Sequence, residues 1–354
     1  LGSQSSFPCE DHTQTSRFLP IPNTSDKTAK MSTVTFANIK TTEGILTTSD
    51  GATLYTKTWH PSTPILARLV FLHGFSDHCN FYGVLFPTLA SSGIKVYSYD
   101  QRGWGRSVTK PSQKGLTGPT SRIMSDITEF IQSLPSEEAS TPLFLMGHSM
   151  GGGEILYYAA TGPQNITSQI RGYLAEAPYI RLHPTAMPWK MTVLAGKILG
   201  KILPHAQMVQ KLQPEKLSRD PEVCREWESD PLNHDMGTLE GLAAMIDRAA
   251  ELEEGKVKIR DQDGKKVSVW IGFGSGDQVL DWEACKKWFE KKLEVADKEF
   301  RIYDGWYHKL HAEPEEDKFL FAKDVKEWIL ARSITTNSAS EEENLQAATT
   351  KPKL

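Results

Sequence analysis

Four apolar residues, Leu143-Phe144-Leu145-Met146, run directly into Gly147-His148-Ser149-Met150-Gly151-Gly152-Gly153, and a helix-forming stretch from Glu154 to Ala160 follows. No other segment limits the fold as tightly. A short continuous apolar run reads as a buried strand. Gly-x-Ser-x-Gly between a strand and a helix reads as a sharp turn with the serine at its apex. Gly147 and Gly151 remove the side chains that would clash in so tight a bend. The Ser149 hydroxyl then projects toward solvent at the positive end of the following helix. Gly-x-Ser-x-Gly by itself is a weak pattern, and its strand–turn–helix setting makes it specific.

The same rhythm continues on both sides. Short apolar runs read as strands at Arg68–Leu72, Lys95–Tyr99, Leu143–Met146, Gly172–Ala175, Val267–Phe273 and Glu299–Tyr303. Their continuous apolar character suits strands covered on both faces. Amphipathic runs lie between them: Ile123, Ile127, Phe130, Ile131 and Leu134 fall on one helical face, as do Phe321, Val325, Trp328 and Ile329. Alternating strands and helices predict an α/β fold, a mostly parallel sheet flanked by helices. Gly44–Thr48 and Thr53–Trp59 flank Ser49-Asp50-Gly51, which predicts an antiparallel hairpin at the start of the sheet.

Composition narrows the class. The net charge is −4 and no strongly basic block occurs, which argues against a nucleic-acid partner. Cys9, Cys79, Cys224 and Cys285 are scattered, without metal-ligand spacing or a dense disulfide framework. No run of 18 apolar residues occurs, so no transmembrane helix is expected, and no apolar signal-peptide core is seen near the N-terminus. These features predict a cytoplasmic protein. Asn23-Thr24-Ser25 and Asn165-Ile166-Thr167 are read as chance matches to the glycosylation pattern. Residues 1–36 read as a poorly ordered extension, within which Met31 is an alternative start, and residues 333–354 as a polar, acidic tail.

A serine hydroxyl is a poor nucleophile at neutral pH and needs a base, which in turn needs an orienting acid. Two candidates stand just past predicted strands: Asp277 in Gly274-Ser275-Gly276-Asp277, and His308 in Asp304-Gly305-Trp306-Tyr307-His308. Ser149, Asp277 and His308 thus occur in the order nucleophile, acid, base. Asp281 competes as the acid but reads as a helix N-cap, and Asp304 is too near His308 in sequence to be the first choice. The developing oxyanion needs fixed donors. One is expected from the Met150 N–H, the other from the Phe75 N–H in the loop His73-Gly74-Phe75-Ser76-Asp77-His78. The segment from Asp100 to Ser107 reads as loop-shaping, with Arg102 holding it.

Taken together, His73-Gly74, Asp100-Gln101-Arg102-Gly103-Trp104-Gly105-Arg106-Ser107, Gly147-His148-Ser149-Met150-Gly151-Gly152, Gly276-Asp277 and Tyr307-His308-Lys309-Leu310-His311 resemble the α/β-hydrolase superfamily, most closely its fungal monoacylglycerol lipases. The resemblance covers about residues 40–332. It implies hydrolysis of monoacylglycerols to glycerol and fatty acid, with no metal or organic cofactor. It also implies that Asp77 and His311 contact the glycerol headgroup. His311 read by itself is equally an exposed histidine at a helix start. Mammalian members often carry Arg where this chain has Phe81, which predicts a less polar headgroup site.

The strand–helix rhythm stops from Pro178 to Met236, which predicts a cap over residues 178–236 between two core segments, 37–177 and 237–332. Pro188 is placed to open a helix. Met191, Leu194, Ile198 and Ile202 share one face of it, and Lys190, Lys197 and Lys201 the other. Two readings stand: Met191, Leu194 and Ile198 line an acyl tunnel, or the helix lies on a membrane or lipid droplet. An ordinary packed cap helix is the bland alternative. Gly196 and Gly200 weaken the helix by about 1 kcal/mol each relative to Ala, giving a mobile lid or a close packing contact. Rival functions are a broader carboxylesterase, a lysophospholipase or an acyltransferase with the same three residues, or a non-catalytic lipid-binding protein. Epoxide hydrolases and dehalogenases place Asp where this chain has Ser149. Oligomeric state is not legible.

Overall fold

The computed structural model describes residues 39–261 and 266–333. The extension expected over 1–36 and the tail after residue 333 lie outside the described residues, as do Cys9 and Asn23. The strands are β1 Lys40–Thr47, β2 Thr53–His60, β3 Ala67–Leu72, β4 Ile94–Tyr99, β5 Leu143–His148, β6 Ile170–Glu176, β7 Gln207–Val209, β8 Met236–Thr238, β9 Ser268–Gly274 and β10 Asp297–Tyr303. The α-helices are α1 Leu85–Ser91, α2 Thr120–Gln132, α3 Met150–Thr161, α4 Gln164–Thr167, α5 Lys190–Ile202, α6 Pro221–Ser229, α7 Leu239–Glu254, α8 Trp282–Lys291 and α9 Asp317–Ser333.

Eight strands form one sheet in the order β1-β2-β4-β3-β5-β6-β9-β10. β1 and β2 pair antiparallel, and β2 pairs antiparallel with β4. Every later pairing in this sheet is parallel. The central strands are largely apolar because successive side chains feed opposite cores. Val70 and Leu72 of β3, with Leu143 and Leu145 of β5, join the core under α2, α3 and α8. Leu69, Phe71, Phe144 and Met146 join the core under α1 and α9. β10 departs from this pattern. It is a sheet edge, and Lys298, Glu299 and Arg301 leave it partly exposed, so the expectation of cover on both faces fails there. Its parallel pairing to β9 needs only one neighbour.

Between β6 and α7 the chain leaves the sheet and builds α5, the small antiparallel pair β7–β8, and α6. This helical cap is tied to the loops beneath it. The Trp227 indole N–H donates to the Ser76 carbonyl at 3.1 Å, the Lys309 N–H to the Leu217 carbonyl at 2.7 Å, and Ser218 Oγ to the Ala312 carbonyl at 2.8 Å.

A buried ion pair joins α3 to α7. Arg248 Nη2 lies 3.0 Å from Glu154 Oε1, and both side chains are buried. Burial pushes the Glu154 carboxyl up to about 7, against the opposing pull of Arg248. An acid with a raised folded pKa binds its proton more tightly when folded. Stability therefore falls as pH rises from the ordinary Glu value through about 7. Glu154→Gln should flatten that slope by roughly a few kcal/mol across the window, read from denaturant unfolding at several pH values. An unchanged slope would show that Glu154 does not titrate there.

Candidate active site

Ser149 sits between the last residue of β5 and the first of α3, with φ 54° and ψ −115°. That positive φ is strained for a residue with a side chain. It is held by backbone bonds: the Ser149 N–H donates to the Glu176 carbonyl at 2.9 Å, and the Ser149 carbonyl accepts from Gly153 at 3.0 Å and Tyr179 at 2.9 Å. A Cβ on Gly147 would stand 2.3 Å from the Gly151 carbonyl oxygen, and one on Gly151 would stand 2.4 Å from that of Leu72. The two glycines are thus required by close approach of backbone.

The loops after β9 and β10 bring the other two residues to the serine. His308 Nε2 is 2.9 Å from Ser149 Oγ, and His308 Nδ1 is 2.7 Å from Asp277 Oδ2. Asp277 Oδ1 accepts from the Val279 N–H at 2.7 Å and the Leu280 N–H at 3.0 Å. A carboxylate facing Nδ1 places the ring proton there, leaving Nε2 to accept from the hydroxyl. The competing acids are occupied elsewhere: Asp281 caps α8 through the Ala284 N–H at 2.9 Å, and Asp304 accepts from Ser275 Oγ at 2.9 Å. Burial holds the neighbouring His148 well below the ordinary histidine range, so it is neutral at pH 7.

The Phe75 and Met150 residues flank Ser149 on the wall of one cavity. Neither of their N–H groups has an acceptor among the described residues. The cavity holds about 470 Å³ and runs beneath the cap, lined by Val193, Leu217, Leu242, Ile246 and Leu280 among others. No Asp or Glu lines it, whereas Lys197, Lys211, Lys216 and Lys309 do.

Comparison with known proteins sets this geometry in a family. The family model described as "Serine aminopeptidase, S33" matches residues 63–315. The monoglyceride lipase of Saccharomyces cerevisiae is 30% identical over 272 residues, covering 75% of this chain and 85% of that protein. The chain belongs to the monoglyceride lipase family of α/β-hydrolases. A crystal structure of a soluble variant of the Saccharomyces cerevisiae monoglyceride lipase with a substrate analog superposes with a TM-score of 0.74 at 26% identity, covering 84% of this chain and 96% of that one. The monoacylglycerol lipase of Paleococcus ferrophilus gives 0.65 at 27% identity, covering 79% and 99%. The chain is a serine ester hydrolase by fold and family.

Other expected lipase contacts need correction. Asp77 and His311 are not on the cavity wall. Asp77 is 1% exposed, and its Oδ2 accepts from Lys309 Nζ at 2.7 Å and the Tyr82 hydroxyl at 3.2 Å. Burial alone would raise its carboxyl; the Lys309 ammonium overrides this and holds it below the usual range. His311 is 1% exposed, with Nδ1 2.7 Å from Glu176 Oε1. Lys309 Nζ, paired with Asp77, stands 4.5 Å over the Phe81 ring.

The acyl-lining face of α5 is likewise reversed. Met191, Leu194 and Ile198 are 70%, 51% and 55% exposed, whereas Thr192, Val193, Gly196 and Lys197 meet the cavity. Gly200 packs on Leu239 at ordinary contact distance, so the glycines mark the inward face. The N-cap of α5 is Trp189, with Pro188 just outside. Arg102 does hold its loop, through paired bonds of 2.8 and 2.9 Å to Asp126. His148, Glu176 and His311 offer ligand-type atoms within 4.8 Å of one another in a buried cluster. Glu176 Oε1 in this cluster already accepts from the His311 ring and the His311 N–H. Sequence reasoning passed over Lys309, Tyr82 and Gln101. A basic residue directly after His308 was the available signal for the first.

Proposed function

We propose that this hydrolase cleaves monoacylglycerols, with Ser149 as nucleophile, His308 as general base and acid, and Asp277 as the group that orients His308. The observation carrying this reading is that Ser149 and His308 stand on the wall of a largely apolar cavity beneath the cap, with Asp277 bonded behind His308. Ser149 Oγ attacks the ester carbon as its proton passes to His308 Nε2. The carbonyl electron pair becomes an oxyanion, facing the Phe75 and Met150 N–H groups. On collapse, glycerol leaves with the proton from His308, and an acyl-Ser149 remains. Water, giving its proton to His308, then releases the fatty acid.

The substrate assignment rests on the relatives named monoglyceride lipase and on the cavity. Each buried CH₂ of an acyl chain contributes about 0.8 kcal/mol. Peptide cleavage from a free amino terminus needs an anion to hold the ammonium, and no carboxylate lines the cavity. The test is a panel of long-chain monoacylglycerols, lysophospholipids, short aryl esters and aminoacyl amides, run on the wild type and on Gly196→Leu. A Cβ at Gly196 would have no atom within 4 Å, so a larger side chain fills cavity space. Long-chain monoacylglycerol should be the preferred substrate of the wild type. The variant should lose about tenfold in kcat/KM for long chains relative to short ones, the worth of roughly two displaced CH₂ groups. Preference for lysophospholipid or aryl ester would replace this reading with the broader esterase.

The outer face of α5 supports peripheral lipid contact. Trp189 is 82% exposed, and Met191, Leu194, Ile198 and Ile202 continue that apolar surface. Among the described residues no helix is long and apolar enough to cross a membrane. Replacing Met191, Leu194 and Ile198 together by Ser should weaken flotation with phosphatidylcholine vesicles about tenfold or more, since each buried apolar side chain contributes roughly 1 kcal/mol or more at an interface. Turnover of a soluble short ester should be unaffected. Equal flotation of the variant would exclude this face as the anchor.

A further inference from the structure

The Asp100–Ser107 segment carries more than its own loop. Gln101 reaches His73 twice: its backbone N–H donates to His73 Nε2 at 2.8 Å, and its side-chain amide donates to the His73 carbonyl at 2.8 Å. A backbone N–H can only donate, so His73 Nε2 is the acceptor and carries no proton. Burial pushes His73 below its ordinary range, which keeps the ring neutral and places its one proton on Nδ1. Nδ1 stands 2.8 Å from the Gly74 carbonyl oxygen and therefore donates to it.

That carbonyl belongs to the same peptide unit as the Phe75 N–H. No described peptide bond is cis, so the C=O and N–H of this unit point in opposite directions. We infer that His73 is a positioning residue that aims the Phe75 oxyanion donor: by holding the Gly74 carbonyl, it turns the N–H of the Gly74–Phe75 peptide toward Ser149, and Gln101 fixes the tautomer that does so. This rests on the assignment of Phe75 to the oxyanion hole.

The lock has something to oppose. Rotation of one peptide changes ψ of the residue before it and φ of the residue after it, and Gly74 has no Cβ to resist. A flipped unit would present a carbonyl oxygen to the developing oxyanion, turning attraction into repulsion. Gly74 must be small for another reason, since a Cβ there would stand 3.2 Å from Ser149 Cβ. The peptide unit before Gly74–Phe75 and the Ser76–Asp77 unit two places after it are held independently. The Gly74 N–H donates to the Tyr82 hydroxyl at 3.1 Å, and the Ser76 carbonyl accepts from Trp227. Loss of His73 thus frees one peptide while the loop stays anchored.

The experiment compares the wild type with His73→Leu, which cannot donate, and His73→Asn, whose amide N–H₂ occupies the place of Nδ1. The readouts are kcat and KM for a monoacylglycerol and the inhibition constant of an alkyl trifluoromethyl ketone. That ketone takes the Ser149 oxygen at its carbonyl carbon, passes the serine proton to His308, and leaves a hemiketal oxyanion in the hole. His73→Leu should lose about 100-fold in kcat with KM within about threefold, and about 100-fold in ketone affinity in parallel. His73→Asn should recover at least about tenfold of both. A raised KM with unchanged ketone affinity, or equal loss in both variants, would overturn the inference. Nitrogen-15 NMR of the wild-type imidazoles tests it without any variant: His73 should be neutral with its proton on Nδ1, and a proton on Nε2 would overturn it. Absence of both turnover and ketone adduct in the wild type would instead overturn the hydrolase reading beneath it.

Discussion

Ser149→Ala is expected to cut ester turnover by roughly four to six orders of magnitude, the scale seen when the nucleophile of a serine–histidine–acid triad is removed. No other hydroxyl replaces it: His308 Nε2 has Ser149 Oγ as its one hydrogen-bond partner among the described residues. The fold should survive. The turn is held by backbone bonds to Glu176, Gly153 and Tyr179, none of which uses the hydroxyl. A small truncation at such a site changes stability by about 1 kcal/mol or less. A melting temperature near that of the wild type, with turnover near the uncatalysed rate, is the expected pair of results. Turnover within tenfold of wild type would remove Ser149 from the mechanism.

Asp277→Asn should cost about 10⁴ in kcat without disturbing the geometry. The reason lies in the bonds around the carboxylate. One oxygen accepts from two backbone N–H groups, Val279 and Leu280, and must stay an oxygen. The amide nitrogen is thereby forced into the other position, where it can only donate an N–H to His308 Nδ1. The imidazole must then accept at Nδ1 and carry its proton on Nε2, facing Ser149 Oγ. In that tautomer it cannot take the serine proton. Asp277→Ala lacks this forcing and should retain more activity than Asn if the tautomer is what matters. Pre-steady-state acylation rates for the two variants give the comparison, and a smaller loss for Asn than for Ala would refute the tautomer argument.

The sheet was legible because β3, β4, β5, β6 and β9 are buried on both faces, and burial on both faces writes itself as a mostly apolar run without polar alternation. The edge strand β10 was found by its Phe300, Ile302 and Tyr303, though its outward residues are charged. The elbow and the two loops bearing Asp277 and His308 were legible because strand ends deliver them. The face of α5 was not. Met191, Leu194 and Ile198 form one apolar row and Val193, Gly196 and Gly200 a second, and periodicity finds rows without saying which faces inward. Gly196 lies on the cavity wall and Gly200 against Leu239, so the row of small residues is the inward one. Asp77 and His311 were misplaced because their partners lie 232 and 135 residues away, and charge compensation at that range leaves no local trace.

The central claim is that His308, held by Asp277, activates the oxygen of Ser149 beside the cavity. An alkyl fluorophosphonate reports that activation directly, because it phosphonylates only a serine whose proton is being removed. Intact-mass analysis followed by peptide mapping should give one adduct per chain, on Ser149, formed at least about a thousandfold more slowly in His308→Ala. An adduct on another serine, or equal labelling of Ser149 in His308→Ala, would contradict the account.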